Sequence, residues 1–234
     1  MKNLFYTSPK HIDKQASIIE IEGQEAQHVS RVLRHKVGDV ILVADGEGAQ
    51  LEVEILEITK KTVVGKKLTT TCDALPSKKK ILAMGVIKKR DRLEFAIEKA
   101  VELGAWEIVL FNADHSERNR VNSERAETQI ISAFKQSGRR WLPKLLVLNS
   151  LDEVFDHYEN ADFILAHEEI EVSNQPKALE KEHSVFLVGP EGGFSSREVE
   201  LNKEKGGRFV SLGKNRLRAE TAVVAFLSQY LFSE

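Results

Sequence analysis

The strongest constraint on this chain is a change of period near residue 80. Beyond it, short unbroken apolar runs recur: ILAMGVI (81–87), WEIVLF (106–111), KLLVLN (144–149), DFILAH (162–167), SVFLVG (184–189) and RFVSLG (208–213). A strand buried on one face alternates apolar with polar residues, whereas a strand covered on both faces reads as continuous Val, Ile and Leu. Helical spacing fills the gaps, at about 91–104, 122–137, 151–159, 196–205 and 218–232. In DRLEFAIEKAVELG (91–104), Leu93, Ile97, Ala100 and Val101 share a face, Asp91 is placed to cap with Glu94 three residues on, and Gly104 marks the stop. Strands alternating with helices predict an α/β domain built on a mostly parallel sheet.

The first part of the chain follows a different rule. GDVILVADGEGAQLEVEILEIT (38–59) has two alternating runs around Asp45-Gly46, a hairpin signal that puts Leu51, Val53 and Ile55 on one strand face. TVVGKKL (62–68) reads as a third strand, and EAQHVSRVLR (25–34) as a short amphipathic helix with Val29, Val32 and Leu33 on one side. The expected division is a small β-rich domain over 1–72, a polar linker with Pro76 over 73–80 and the α/β domain over 81–234. A chain of 234 residues, 41% hydrophobic and 30% charged, suffices for both cores. Cys72 is the single cysteine, so a disulfide within the chain and a Cys/His zinc site are not expected, and a reducing cytoplasm fits. The start, MKNLFYTSPKH, lacks a signal-peptide core, and no stretch approaches the roughly 20 apolar residues that span a bilayer. Neither export nor membrane insertion is expected.

One apolar run ends unusually, in HSVFLVGPEGGFSS (183–196). Gly189, Gly192 and Gly193 let another group approach the backbone, Pro190 stiffens the turn, and Ser195 with Glu198 forms a capping-box pattern that starts the next helix. Open α/β sheets bind ligands at the carboxyl ends of their strands, where this loop lies. The loop is either such a cradle or a tight turn that only reverses the chain. It is neither a phosphate loop, lacking Lys-Ser/Thr, nor a GxGxxG fingerprint. At the end of the next run, GKNRLRAET (213–221) crowds Arg216, Arg218 and Glu220 against an almost wholly apolar helix. Charges so near a core need partners: either they form an internal ion pair or cap the helix, with Glu220 near its favourable N-terminus, or they serve a ligand site.

GPEGGFS and LGKNRLRAETA, taken in order with DRLEFAIEKAVELGAWEI, SERNR and QSGRRWLPKL, resemble the bacterial 16S ribosomal RNA uridine N3-methyltransferases of the SPOUT superfamily. HVSRVLRHKVGD resembles the start of that family's N-terminal PUA-like RNA-binding domain, so the resemblance runs over essentially the whole chain. It implies a SPOUT-type C-terminal domain with a trefoil knot, a small β-barrel-like N-terminal domain, a homodimer, S-adenosylmethionine as methyl donor and 16S rRNA of the small ribosomal subunit as substrate. It places the cofactor against Leu165, Ala166 and His167, then Gly189, Pro190, Glu191, Gly192 and Gly193, then Ser211, Leu212, Gly213, Leu217, Arg218 and Ala219. Methyl transfer to a uracil nitrogen needs no metal. It needs charge stabilisation as the N–H loses its proton, expected from Arg218, with Glu220 or Glu191 as proton acceptor or orienter. The competing expectations are ribose 2′-hydroxyl methylation and a non-catalytic RNA-binding assembly factor.

Net charge is -2, so an RNA partner must be held by local patches. Arg31, Arg34, Arg118, Arg120, Arg139 and Arg140 sit in basic clusters at element ends and are the candidate phosphate contacts. Trp141, beside Arg140, is either a packed tryptophan or a base-stacking one.

Overall fold

The computed structural model describes residues 3–117, 120–168 and 178–231. The chain forms two compact units, Met1–Leu75 with Phe134–Leu142, and Pro76–Ala133 with Pro143–Glu234.

The first unit is a six-stranded sheet in the order β1-β4-β5-β6-β3-β2, with β1 Leu4–Tyr6, β2 Ile12–Asp13, β3 Ile18–Glu22, β4 Val40–Ala44, β5 Ala49–Ile58 and β6 Thr62–Cys72. All pairings are antiparallel except that of β1 with β4. The hairpin between β4 and β5 turns where Asp45 predicts it, because the Asp45 carboxylate accepts hydrogen bonds from the backbone N–H groups of Glu47 and Ala49, at 2.7 and 2.9 Å. Leu51, Val53 and Ile55 enter the core together with Phe5, Ile21 and Val43.

Helix α1 (Gly23–Gln27) runs into a wider π-type turn over His28–Val32, closed by the Leu33 N–H on the His28 carbonyl at 3.0 Å. The extra residue in that turn keeps Val29 and Leu33 on the core side and swings Val32 out, 66% exposed. The expected three-residue apolar side therefore loses Val32.

Phe134–Leu142, distant in sequence, belongs to this unit. Phe134 is fully buried and meets Tyr6 edge-on, with ring centroids 5.9 Å apart. Arg140 pairs with Asp73 at 2.7 Å, and Lys135 pairs with Glu25. No local periodicity announces such a return.

The second unit is a wholly parallel sheet in the order β12-β10-β11-β7-β8-β9. Its strands are β7 Lys79–Gly85, β8 Glu107–Phe111, β9 Lys144–Leu148, β10 Asp162–Ala166, β11 His183–Val188 and β12 Arg208–Val210. Strand β7 thus begins inside the stretch read from sequence as linker. Both faces of the inner strands are covered, which explains their unbroken apolar runs, whereas the edge strand β9 leaves Val147 42% exposed. Ile81, Ala83, Val185 and Leu187 face Leu151, Val154 and Phe155 of α4 (Leu151–His157). On the other face Phe186 meets Phe226 of α6 (Ala219–Ser228) at 4.9 Å, and α6 packs along α2 (Arg90–Glu102). Helices α3 (Ser123–Ser137) and α5 (Ser196–Glu204) match their predicted positions.

Helix α2 starts one residue before Asp91, with Lys89 as N-cap and no side-chain cap. Asp91 instead lies in the first turn, where its negative charge favours the helix dipole. β12 ends at Val210 rather than Gly213, which releases Ser211–Gly213 into a loop. Among the described residues no helix is long and apolar enough to cross a membrane, and no group of His, Cys, Asp and Glu is arranged to hold a metal.

Candidate active site

In the second unit the chain runs from β7 outward to β8 and β9, returns to the far side at β10, and inserts β11 between β10 and β7. Such a reversal leaves a crevice at the carboxyl ends of the strands. There a cavity of about 360 Å³ opens, within the size range of small-molecule sites. Three loops wall it: Ala166–Glu168 after β10, Gly189–Phe194 after β11, and the segment from Leu212 into the first turns of α6.

The middle loop is GPEGG. The Gly193 N–H donates to the Pro190 carbonyl at 2.9 Å, and the Gly192 carbonyl lies 3.1 Å from Nδ1 of His115. A Cβ on Gly192 would stand 2.8 Å from Cβ of His115, so only glycine fits between that histidine and the cavity. The capping box fixes the far end: the Glu198 N–H donates to Ser195 Oγ at 3.2 Å, and the Ser195 N–H to Glu198 Oε2 at 2.8 Å. Glu198 is wholly buried, and burial pushes its carboxyl above the usual range, opposed by hydrogen bonds from the Ser195 and Asp114 N–H groups.

His167 extends the strand edge, its N–H donating to the Val210 carbonyl at 2.9 Å, while its ring meets Phe209 edge-on at 6.2 Å. Its neighbour Ala166 also lines the cavity, as do Gly189, Pro190, Glu191, Gly192, Gly193, Leu212, Gly213, Leu217, Arg218 and Ala219. Leu165 and Ser211 do not reach it. Both are buried beneath, and the Ser211 hydroxyl shapes the third loop by donating to the Gly213 carbonyl at 3.2 Å. Val188, Phe194 and Ala222 complete the apolar wall, and Glu168, Asn215 and Arg216 the rim; Arg216 stands out in sequence as a charge at the entry of the last helix, but none of the six is among the expected cofactor contacts. Their signal was adjacency to the three loops.

The charged candidates separate clearly. Arg218 is the N-cap of α6, exposed at the cavity, and among the described residues its guanidinium makes no hydrogen bond or ion pair. Glu220 does not line the cavity. Its carboxylate pairs with Nε of Arg92 at 3.4 Å, the two side chains being 13% and 23% exposed. Glu220 thus pairs with a third residue, Arg92 on α2, which sequence spacing does not indicate. Glu191 lines the cavity with its carboxylate held by the Lys88 N–H at 3.2 Å. Arg216 donates to the Glu191 carbonyl at 3.4 Å and pairs with Glu168 at 3.7 Å.

Of the candidate phosphate contacts, Arg31 and Arg34 are exposed on the first unit, and Arg34 has a positive φ of 56°. Arg120 is exposed on the second unit beside a polar hollow that includes Asn112, Ser116 and Asn149. Arg140 is committed to Asp73, and Arg139 is half-buried, its guanidinium pushed down to about 10 by burial. Arg118 lies outside the described residues. Trp141 packs within the first unit, its indole N–H donating to the Ala74 carbonyl at 3.3 Å.

Known proteins share this architecture. Residues 75–231 match the RNA methyltransferase domain family, and residues 21–68 match the RNA methyltransferase PUA domain. Ribosomal RNA small subunit methyltransferase E of Bacillus subtilis is 28% identical over 243 aligned positions, covering 97% of this chain and 95% of that protein. A crystal structure described as a "probable rRNA-methyltransferase", from Porphyromonas gingivalis, is 31% identical with TM-score 0.81, covering 97% of this chain and 95% of that one. The Neisseria gonorrhoeae ribosomal RNA small subunit methyltransferase E, bound to S-adenosyl methionine, is 26% identical with TM-score 0.84, covering 98% and 97%.

Proposed function

The chain belongs to the RNA methyltransferase domain family and carries that family's PUA domain, and from that premise we propose that it transfers a methyl group from S-adenosylmethionine to N3 of a specific uridine in 16S ribosomal RNA. The observation that carries this is a backbone-lined cavity with, at its edge, an arginine that has no partner among the described residues.

The residues present suit the cofactor. It has no phosphates, and the cavity lining includes no lysine. Exposed backbone along Gly189–Gly193 would offer hydrogen bonds to an adenine edge, Val188, Phe194, Leu217 and Ala222 would give apolar walls, and Glu168 and Glu191 would bring negative charge to a positively charged ligand. When bound, the cofactor supplies a methyl group already activated by positively charged sulfur.

The protein's task is then to align the acceptor and manage its proton. Bound there, the cofactor would supply the methyl group and keep the electron pair of the broken bond, so the chain's own task at N3 is removal of the proton. Negative charge spreads to the flanking uracil carbonyls, where the Arg218 guanidinium stabilises it. Glu191 takes or orients the proton, since it lines the cavity whereas Glu220 is committed to Arg92. Arg31, Arg34 and Arg120 supply phosphate contacts. The same proposal carries a homodimer, a trefoil knot in the second unit and a cytoplasmic site of action.

The test is methylation of small ribosomal subunits lacking the modification, with the product atom mapped. The proposal expects N3-methyluridine from the parent protein and its near-absence with Arg218→Ala. A ribose 2′-O product, or binding of RNA without cofactor binding, would replace it with one of the two competing functions.

A further inference from the structure

The Arg92–Glu220 pair stands at the start of the helix whose N-cap is Arg218. Arg218 and Glu220 stand two residues apart at the start of α6, one an exposed cation at the cavity and the other a nearly buried anion. A long guanidinium beside a free carboxylate pairs with it. Here it does not, because Arg92 reaches across from the first turns of α2 and occupies that carboxylate. The other carboxylate nearby, Glu191, is held by the Lys88 N–H from the connection leading into α2. The start of α2 and the connection into it thus engage Glu220 and Glu191, while the remaining acid at the cavity among the described residues, Glu168, pairs with Arg216.

We infer that Arg92 is a positioning residue: by sequestering Glu220 it keeps the Arg218 guanidinium free to face the acceptor base. This rests on the proposed role of Arg218. Without Arg92, Arg218 folds back onto Glu220, and its charge is neutralised before any substrate arrives.

Competition and simple structural support give different patterns in a set of variants. Arg92→Met and Glu220→Gln each leave a mostly buried partner unpaired, so both lower the melting temperature by several degrees. Their activities diverge. In Arg92→Met, kcat for methyl transfer falls by about 100-fold, the scale of losing one charge-stabilising donor, while KM for S-adenosylmethionine changes little. In Glu220→Gln, Arg218 stays free and kcat is largely retained. The double variant Arg92→Met/Glu220→Gln recovers most of the kcat lost in Arg92→Met, and Arg92→Lys, which keeps the charge, also recovers much of it. All are assayed below the lowest melting temperature, beside Arg218→Ala.

Loss of kcat in equal measure in Arg92→Met and Glu220→Gln, or no loss in Arg92→Met, overturns the inference. Normal kcat in Arg218→Ala would overturn the assignment of Arg218 beneath it, which separates the two failures.

Discussion

Two glycine-rich loops end strands in this molecule, and they use the same residue type for opposite purposes. In the hairpin after β4, the space a side chain would fill is already taken by protein. A Cβ on Gly48 would stand 2.5 Å from the Trp141 ring, and one on Gly46 would stand 3.0 Å from Cβ of Leu142. The Gly48 N–H is also satisfied, by the Arg140 carbonyl at 2.9 Å. In the loop after β11, glycine lets His115 approach from one side, but the other side opens on the cavity, and a Cβ on Gly193 would meet nothing within 4 Å. The difference rests on Gly193, since His115 fills the volume beside Gly192 and Gly193 itself that beside Gly189; a glycine-rich loop leaves room for a ligand only where one of its faces stays free of protein atoms. That property belongs to the tertiary neighbourhood, not to the dipeptides.

Substitution can sharpen or break this comparison. The largest effect is expected at the hairpin. Gly48→Ala, at φ 98° and against the Trp141 ring, should cost about 3 kcal/mol of stability in denaturant titration, with S-adenosylmethionine affinity of the folded protein unchanged. Reduced cofactor affinity in folded Gly48→Ala would break the separation. At the cavity, Arg218→Ala should lower kcat by about 100-fold, or about 2.7 kcal/mol, with cofactor affinity within about twofold of the parent. Single-turnover assays with calorimetry would check it.

A smaller effect is expected at Ser195, which caps α5 and fixes the end of the cradle. Ser195→Ala should cost about 1 kcal/mol in stability and weaken cofactor binding a few-fold; unchanged binding would mean the cap supports the helix alone. The smallest effect is one of pH. Hydrogen bonds from Arg197, and then from Ser195, hold the Asp114 carboxyl below the usual range. A lowered folded value means that its contribution is present above the ordinary aspartate value of about 3.9 and lost as pH falls through the folded one. Stability measured across a pH series should therefore fall less steeply below about pH 4 in Asp114→Asn than in the parent.

Local pattern made much of this legible. The capping box at Ser195 and Glu198, the Asp45 turn and the unbroken apolar strands each depend on neighbours in sequence, and each stands where the sequence puts it. One local oddity combined with the position rule for parallel sheets points to the loop beside which the cavity opens. What escaped depends on distant partners. Arg92 meets Glu220 only because α2 and α6 pack together, and Phe134–Leu142 joins the first unit through contacts that no local periodicity encodes. Val32 escaped for another reason: a π-type turn shifts the face that α-helical spacing assigns. Leu165 and Ser211, which the resemblance counts in the cofactor pocket, are buried and not among the residues that line the cavity.

The central claim is that the space beside Gly189–Gly193 holds the methyl donor. Its most direct test is calorimetric titration of cofactor-free protein with S-adenosylmethionine, for the parent and for Gly192→Val, whose side chain would force the loop off His115. The account predicts saturable one-to-one binding by the parent, and its loss in a variant that still melts cooperatively. No binding by folded parent protein, or equal binding by the variant, would contradict it.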